Sequence, residues 1–425
     1  MAEPSGQLSE NCSSIRNLGG KRQIMGVGLL RIGSLRHRHL GRWGVVAPIF
    51  AVACLAALLA KLGRDEAIAS NSRAGGPSLA LPASQLPYRV PPIAPKCFFS
   101  GSSEAAAVSG ILKNPPHPAF DGRLAIHLLR AYGRQTPSRV GIPAASELVS
   151  ALTGHTLPGR YTGERPLVET RYGVRYRTSG ASAIDGNLRE NHRDIFLATF
   201  AEQGLPLSTP LKVNSTTTLT IAALLNDSFA TFDLRQSEIE WSAIAYALYA
   251  SDRANWSDNG GNQTTFDQLA GALIDRELAK CSCAGAHVLM AMTYLSRIDA
   301  EAHLLSEAKR HALSERLANC VRIVLSQQRD DGSWSNPWTR GFDDQTDREF
   351  ERLLVSGHIL EWLEYLPAEL QPPSGTYIRA VHWLIPRLNR IQHYPTFNSI
   401  GWTCPWTHAA CALENLCADD AIFWG

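Results

Sequence analysis

The chain has no strong excess of either charge: 41 Lys and Arg stand against 39 Asp and Glu, a formal net charge of +2. That balance removes the global electrostatic case for nucleic acid, and no nucleic-acid partner is expected. A Walker A loop, a dinucleotide fingerprint, a His-Glu-x-x-His helix and a nucleophile elbow are all missing. Their absence excludes the usual signatures of nucleotide binding, zinc proteolysis and serine hydrolysis. No exact short repeat is present, so tetratricopeptide and ankyrin arrays are excluded as well. Nine cysteines in 425 residues do not make a dense disulfide framework.

What is present is enough apolar sequence for a sizeable core, 44% of the chain. Basic residues gather early, at Arg16, Lys21, Arg22, Arg31, Arg36, Arg38 and Arg42, in a segment spanning residues 1–42. A run from Trp43 to Ala60 then carries no charge. Eighteen helical residues span ~27 Å, close to a hydrocarbon core of ~30 Å. Residues 43–62 are therefore expected to be a transmembrane signal anchor that ties the chain to the membrane. Trp43 suits one interface, Lys61 and Arg64 the other, and the C-terminal domain would lie outside the cytoplasm. A cleaved signal peptide is the other reading of the same run, and Met25 is an alternative start. Residues 63–110, rich in Ala, Pro, Ser and Gly, read as a flexible linker.

From residue 111 to 425 the sequence reads as one α-helical domain, best supported over 187–425. Apolar residues recur at i, i+3 and i+4 in segments starting near His192, Ser215, Ser237, Thr264, Cys283, Leu305, Asp347, Ser374 and Thr403. Ser215 and Thr264 are placed as N-caps. Residues 159–186 are polar and predicted to be a long loop. With no convincing strand, the expected fold class is all-α.

Two Cys-x-x-x-His elements, Cys283–His287 and Cys404–His408, run into apolar helical patterns. Side chains four apart on a helix face lie ~5–6 Å apart. Each element can thus aim a thiolate and an imidazole at one point, and the two together offer a Cys2His2 tetrahedron for Zn²⁺. A disulfide from Cys404 to Cys281 or Cys283 competes with metal. His358 lies between the elements and serves as a further ligand or as proton donor and acceptor. His192 and Glu240, near the starts of two earlier helices, are the other candidate catalytic residues, Glu240 as base or orienting carboxylate.

The segment Gln328-x-x-x-Gly332-x-Trp334 resembles the turn that recurs between helices in terpenoid cyclases and protein prenyltransferases. That resemblance implies an α/α toroid of helical hairpins around a central cavity, with Gln and Trp bracing adjacent hairpins. His287, His358 and His408, spaced by 71 and 50 residues, would begin inner helices and face one mouth. The set Cys-x-Gly-x-His, Ser-Gly-His and Cys-Pro-x-Thr-His is also similar to membrane-anchored bacterial members of that group. The Asp-x-Asp-Asp proton donor of squalene-type cyclases is absent, and no Asp matches the third zinc ligand of the prenyltransferases.

Asp343-Asp344-Gln345-Thr346-Asp347 spells a diphosphate-type motif, but it opens a helix, where Asp is favoured as a cap. Trp334, Trp338, Trp362, Trp402 and Trp406 either fill the core or line a cavity. The expected function is a zinc-dependent enzyme acting on a lipid, glycan or other small-molecule substrate. The alternative is a non-catalytic, membrane-tethered binding or scaffold module with packed or disulfide-bonded Cys and His residues.

Overall fold

The computed structural model describes residues 85–93, 102–114, 122–133, 144–155, 165–177, 192–340, 348–394, 397 and 400–417. The expected anchor, most of the linker and the Asp343–Asp347 motif lie outside these residues. Among the described residues no helix is long and apolar enough to cross a membrane. All of them belong to one contact unit.

Helices dominate, in agreement with the expected class. In chain order they are α1 (Ser103–Leu112), α2 (Gly122–Tyr132), α3 (Ala145–Leu152), α4 (Ile195–Glu202), α5 (Ile221–Ala230) and α6 (Glu240–Tyr249). There follow α7 (Phe266–Ile274), α8 (Ala286–Ala302), α9 (Glu307–Gln327), α10 (Glu349–Tyr365), α11 (Ser374–Ile391) and α12 (Ile400–Cys417). Local chemistry sets several starts. Ser306 Oγ accepts the Lys309 amide ahead of α9, and Thr265 with Gln268 closes a capping box on α7.

The absence of strands is corrected. β1 (Leu167–Thr170) pairs with β2 (Gly173–Tyr176), β3 (Pro210–Lys212) with β4 (Thr218–Thr220), and β5 (Asn255–Ser257) with β6 (Gln263–Thr265), all antiparallel. Leu167 faces Tyr176, Leu211 faces Leu219, and Trp256 faces Thr264. These hairpins of three or four residues are too short to show alternation. Ser215 is accordingly not an N-cap. It sits in the β3–β4 turn, where Asn214 Oδ1 accepts the amides of Thr216 and Thr217, and α5 starts only at Ile221. The second cap shifts by one residue, from Thr264 to Thr265.

Part of the sequence assigned to the linker is ordered against the helices. The Tyr88 amide donates to Leu248 O, and Gln85 Nε2 to Tyr249 O, both at the C-terminal end of α6. The Ile93 amide donates to Glu364 O at the end of α10. Terminal helix carbonyls have no partner within their own helix, so a Pro-rich extended segment can be held by them without a large apolar face. Residues 103–112 are α1, so the helical body begins before residue 111.

The core runs through the helix pairs. α10 and α12 make the most extensive pairing; α12 packs on α2, α10 on α8, α8 on α6, α6 on α4, and α4 returns to α2. The turn at Gln328–Trp334 ties further helices to this set. Gln328 Nε2 donates to Gly332 O and to Thr376 O of α11, while Trp334 Nε1 donates to Val324 O of α9. The Trp334 amide donates to Ser356 Oγ of α10. Gly332, at φ +95°, lies so close to Arg379 O that a Cβ would stand 2.1 Å from it.

Candidate functional site

Each helix of that cycle sends a polar or aromatic side chain into one buried cluster. α2 contributes His127 and Arg130, α4 Glu202, α6 Trp241, α8 His287, α10 His358, Glu361 and Glu364, and α12 Cys404 and His408. Spacing explains the choice of residues: 358, 361 and 364 share a face of α10, as 404, 408 and 411 share one of α12. Gly357 permits the approach, since a Cβ there would lie 2.7 Å from the Ala409 nitrogen.

The expectation for Cys283 needs correction. Cys283 is not on the helix that carries His287. Cys283 and Ala284 hold φ of 51° and 52°, and Gly285 holds 82°. Two of these three left-handed residues carry a Cβ, which costs roughly 1–2 kcal/mol each. Leu278 packs against Gly285, where a Cβ would approach its side chain to 2.7 Å. The thiol is presented by a strained turn ahead of α8. Cys404 and His408 do lie within one helix, as expected. His358 is not at a helix start but well inside α10.

Three groups have ligand atoms all within 4.8 Å of one another: Cys283, His287 and His358; His127, Cys404 and His408; and His358, Glu361 and His408. The two Cys-x-x-x-His elements therefore each gather with a second histidine. The His358 and His408 ring centroids are 3.5 Å apart, His287 and His358 5.1 Å, His127 and His408 5.1 Å, and His287 and His408 6.5 Å. Trp241 lies 4.7 Å from His287 and under the Arg130 guanidinium at 5.2 Å. Cys281, Cys283, Cys320, Cys404, Cys411 and Cys417 are thiols in this structure, so neither candidate disulfide is formed.

Nδ1 of His287 and Nε2 of His358 are buried with no hydrogen-bond partner. Such an orphan costs about 1–3 kcal/mol. Burial, then neighbouring histidines, hold His287 well below its ordinary range. Burial and His408 do the same for His358, and burial and His127 for His408. Neutral imidazole is the form that ligates metal. Behind them, Glu361 Oε2 is 2.6 Å from His408 Nδ1, and its Oε1 is 3.3 Å from Arg130. Burial pushes Glu361 up, while Arg130 and His127 pull it down. Arg130 also pairs with Glu202 at 3.1 Å. Glu364 accepts from Asn415 at 2.8 Å and keeps Oε1 without a partner; burial drives it well above the carboxylate range.

His192 and Glu240 lie to one side. His192 Nδ1 is 2.7 Å from Glu238, whose other oxygen accepts from Ser282 at 2.6 Å, and its ring is 5.9 Å from His287. Burial pushes Glu238 up, but His192 and Ser282 hold it below the usual range. Burial and Glu238 push Glu240 up to about 7. Neither His192 nor Glu240 joins a metal-competent group among the described residues.

Trp334, Trp338, Trp362 and Trp406 are fully buried core residues, and the Trp402 side chain is outside the described residues. A pocket of about 240 Å³ beside Leu278, Arg316, Cys320 and Trp338 shares no residue with the cluster. Sequence reasoning missed His127, Arg130, Glu202 and Glu361. The available signal was a polar residue inside an apolar stripe: His127 and Arg130 in RLAIHLLRAY, and Glu361 three residues after His358.

No protein-family model, curated protein or solved structure matches the chain.

Proposed function

We propose that this chain is a membrane-anchored protein of the α/α-toroid type whose buried cluster holds zinc for a reaction on a lipid or cell-envelope substrate. The observation that carries the metal reading is the gathering of ligand atoms of Cys283, His287 and His358 within 4.8 Å of one another, each histidine holding a buried nitrogen with no hydrogen-bond partner. Thiolate with imidazole is a zinc-type donor set. Three protein ligands leave a fourth tetrahedral position for water or substrate, as in catalytic sites. Bound zinc supplies a Lewis acid and a water acidified to about pKa 7.

The chain's own residues would do the rest. Glu240, at about 7, has the poise of a general acid or base, and His192 lies 5.9 Å from His287. Strain at Cys283 and Ala284 fits a functional turn, because such conformations concentrate at active sites. The closed cycle of helix contacts and the Gln328–Trp334 brace support the toroid reading, and the uncharged run at 43–60 behind a basic segment supports the anchor.

A second reading, a non-catalytic tethered binding or scaffold module, is favoured by the burial of the site. His358 is 2% exposed and its ring centroid lies 3.5 Å from that of His408, which narrows the approach for a large substrate. One experiment separates the two. The full-length chain, purified without chelator, is assayed for metal by elemental mass spectrometry and incubated with lipid extracts and cell-envelope glycans. Zinc that is lost in Cys283→Ser and His358→Ala, with product formation abolished by chelator, is expected. Bound zinc without any conversion would favour the scaffold, and no metal after zinc addition would remove the zinc reading.

A further inference from the structure

The two Cys-x-x-x-His elements do not complete one tetrahedron. Each ends beside a second histidine, so that Cys283, His287 and His358 on one side match His127, Cys404 and His408 on the other. The donor sets are identical, one thiol and two imidazoles, and they share no residue.

No metal-competent group among the described residues contains both Cys283 and Cys404. The group of His358, Glu361 and His408 is poorly built for a shared ion, because Glu361 Oε2 lies 2.6 Å from His408 Nδ1, a hydrogen-bond distance that leaves no room for a metal between them.

Glu361 fits a different task. With Arg130 on its other oxygen it takes a hydrogen bond from His408 Nδ1, which leaves the Nε2 lone pair for a metal. This is the carboxylate–histidine–metal arrangement that fixes a ligand's tautomer and orientation. Cys283, Cys404 and His127 are part-exposed while His287, His358 and His408 are buried behind them, so both triads have an accessible side.

We infer that the cluster holds two divalent transition-metal ions of the zinc class, the second bound by His127, Cys404 and His408 with Glu361 orienting His408. The inference rests on the zinc reading of the Cys283 triad.

The test is a Co²⁺ titration of the metal-depleted full-length chain, with bound metal measured by equilibrium dialysis and thiolate ligation by charge-transfer absorption. Two equivalents are expected. Cys283→Ser and Cys404→Ser should each retain one, the residual absorption arising from the other thiolate. His127→Gln, a milder change at a part-exposed position, should weaken one equivalent about 10–100-fold and leave the other unchanged; it decides the matter if Cys404→Ser does not fold. A single equivalent lost in both cysteine variants would overturn the second site and leave a shared one. A single equivalent retained in Cys404→Ser and His127→Gln would overturn it while sparing the Cys283 site. No cobalt bound at all would overturn both.

Discussion

Gly357→Ala gives a test whose sign depends on the packing. An added Cβ at this position meets the Ala409 nitrogen at 2.7 Å, the Ala409 Cα at 3.1 Å and the His408 carbonyl carbon at 3.2 Å, where ordinary contact begins at 3.4 Å. All three atoms are backbone, so no side chain can swing aside. α10 and α12 must separate by about 0.7 Å or shift along one another in an interior packed to crystal density. Replacing a helical Gly by Ala gains about 1 kcal/mol of propensity. Overpacking of this kind costs about 1–3 kcal/mol, so the net expectation is a loss of up to about 2 kcal/mol. His358 and Glu361 lie on α10 and His408 on α12, so the same displacement spoils the Glu361–His408 bond and weakens metal binding. Urea denaturation of the metal-depleted chain measures the first effect, and zinc competition against a chromophoric chelator the second. A variant about 1 kcal/mol more stable than wild type, with unchanged zinc affinity, would show that Gly357 is an ordinary helical glycine and refute the reasoning.

Three further outcomes follow from the same structure. Glu240→Gln probes a carboxyl raised from 4.5 to about 7: the folded state holds its proton more tightly, so stability is full below pH 4.5 and is lost as pH rises to 7. Removing the charge should stabilise the chain by up to about 3 kcal/mol above pH 7 and have little effect at pH 4; equal stability of the two proteins at pH 8 by thermal unfolding would contradict this. Glu361→Gln should weaken metal binding about 10–100-fold, because His408 loses the carboxylate that orients it; zinc competition reads the effect, and an unchanged affinity would contradict the orienting role. Gly332→Ala, at φ +95° against Arg379 O, should cost more than about 2 kcal/mol through strain and clash combined, and an unchanged denaturation midpoint would count against the turn as a brace.

The helix succession was legible because α8 to α12 carry long apolar periodicities ended by Gly, Pro or polar residues. The short hairpins were not, since three residues show no alternation and Asn214 stops a pattern that otherwise reads as helix. The ordered segment at 85–93 was hidden for a related reason: it is held mainly by backbone hydrogen bonds to helix ends, and composition reports side chains. Cys283, His287, His358, Cys404 and His408 stood out by residue type, and the structure brings them into adjoining groups. Their pairing was not legible. Assigning both Cys-x-x-x-His elements to one ion assumed that Cys283 was helical and ignored His127, which precedes Cys404 by hundreds of residues and meets it only through the packing of α2 on α12. Glu361 was readable in principle, as an acid three residues from His358 on the same buried face. His192 and Glu240 were placed close to the cluster but on its Glu238 side.

The central claim is that Cys and His side chains of this cluster bind zinc directly. X-ray absorption at the zinc K-edge, on the full-length chain purified without chelator, tests it most directly. The account predicts a mixed first shell, sulfur at about 2.3 Å and nitrogen at about 2.0–2.1 Å, with the sulfur contribution reduced in Cys283→Ser. A shell of light atoms alone, or no bound zinc in a folded protein, would contradict it.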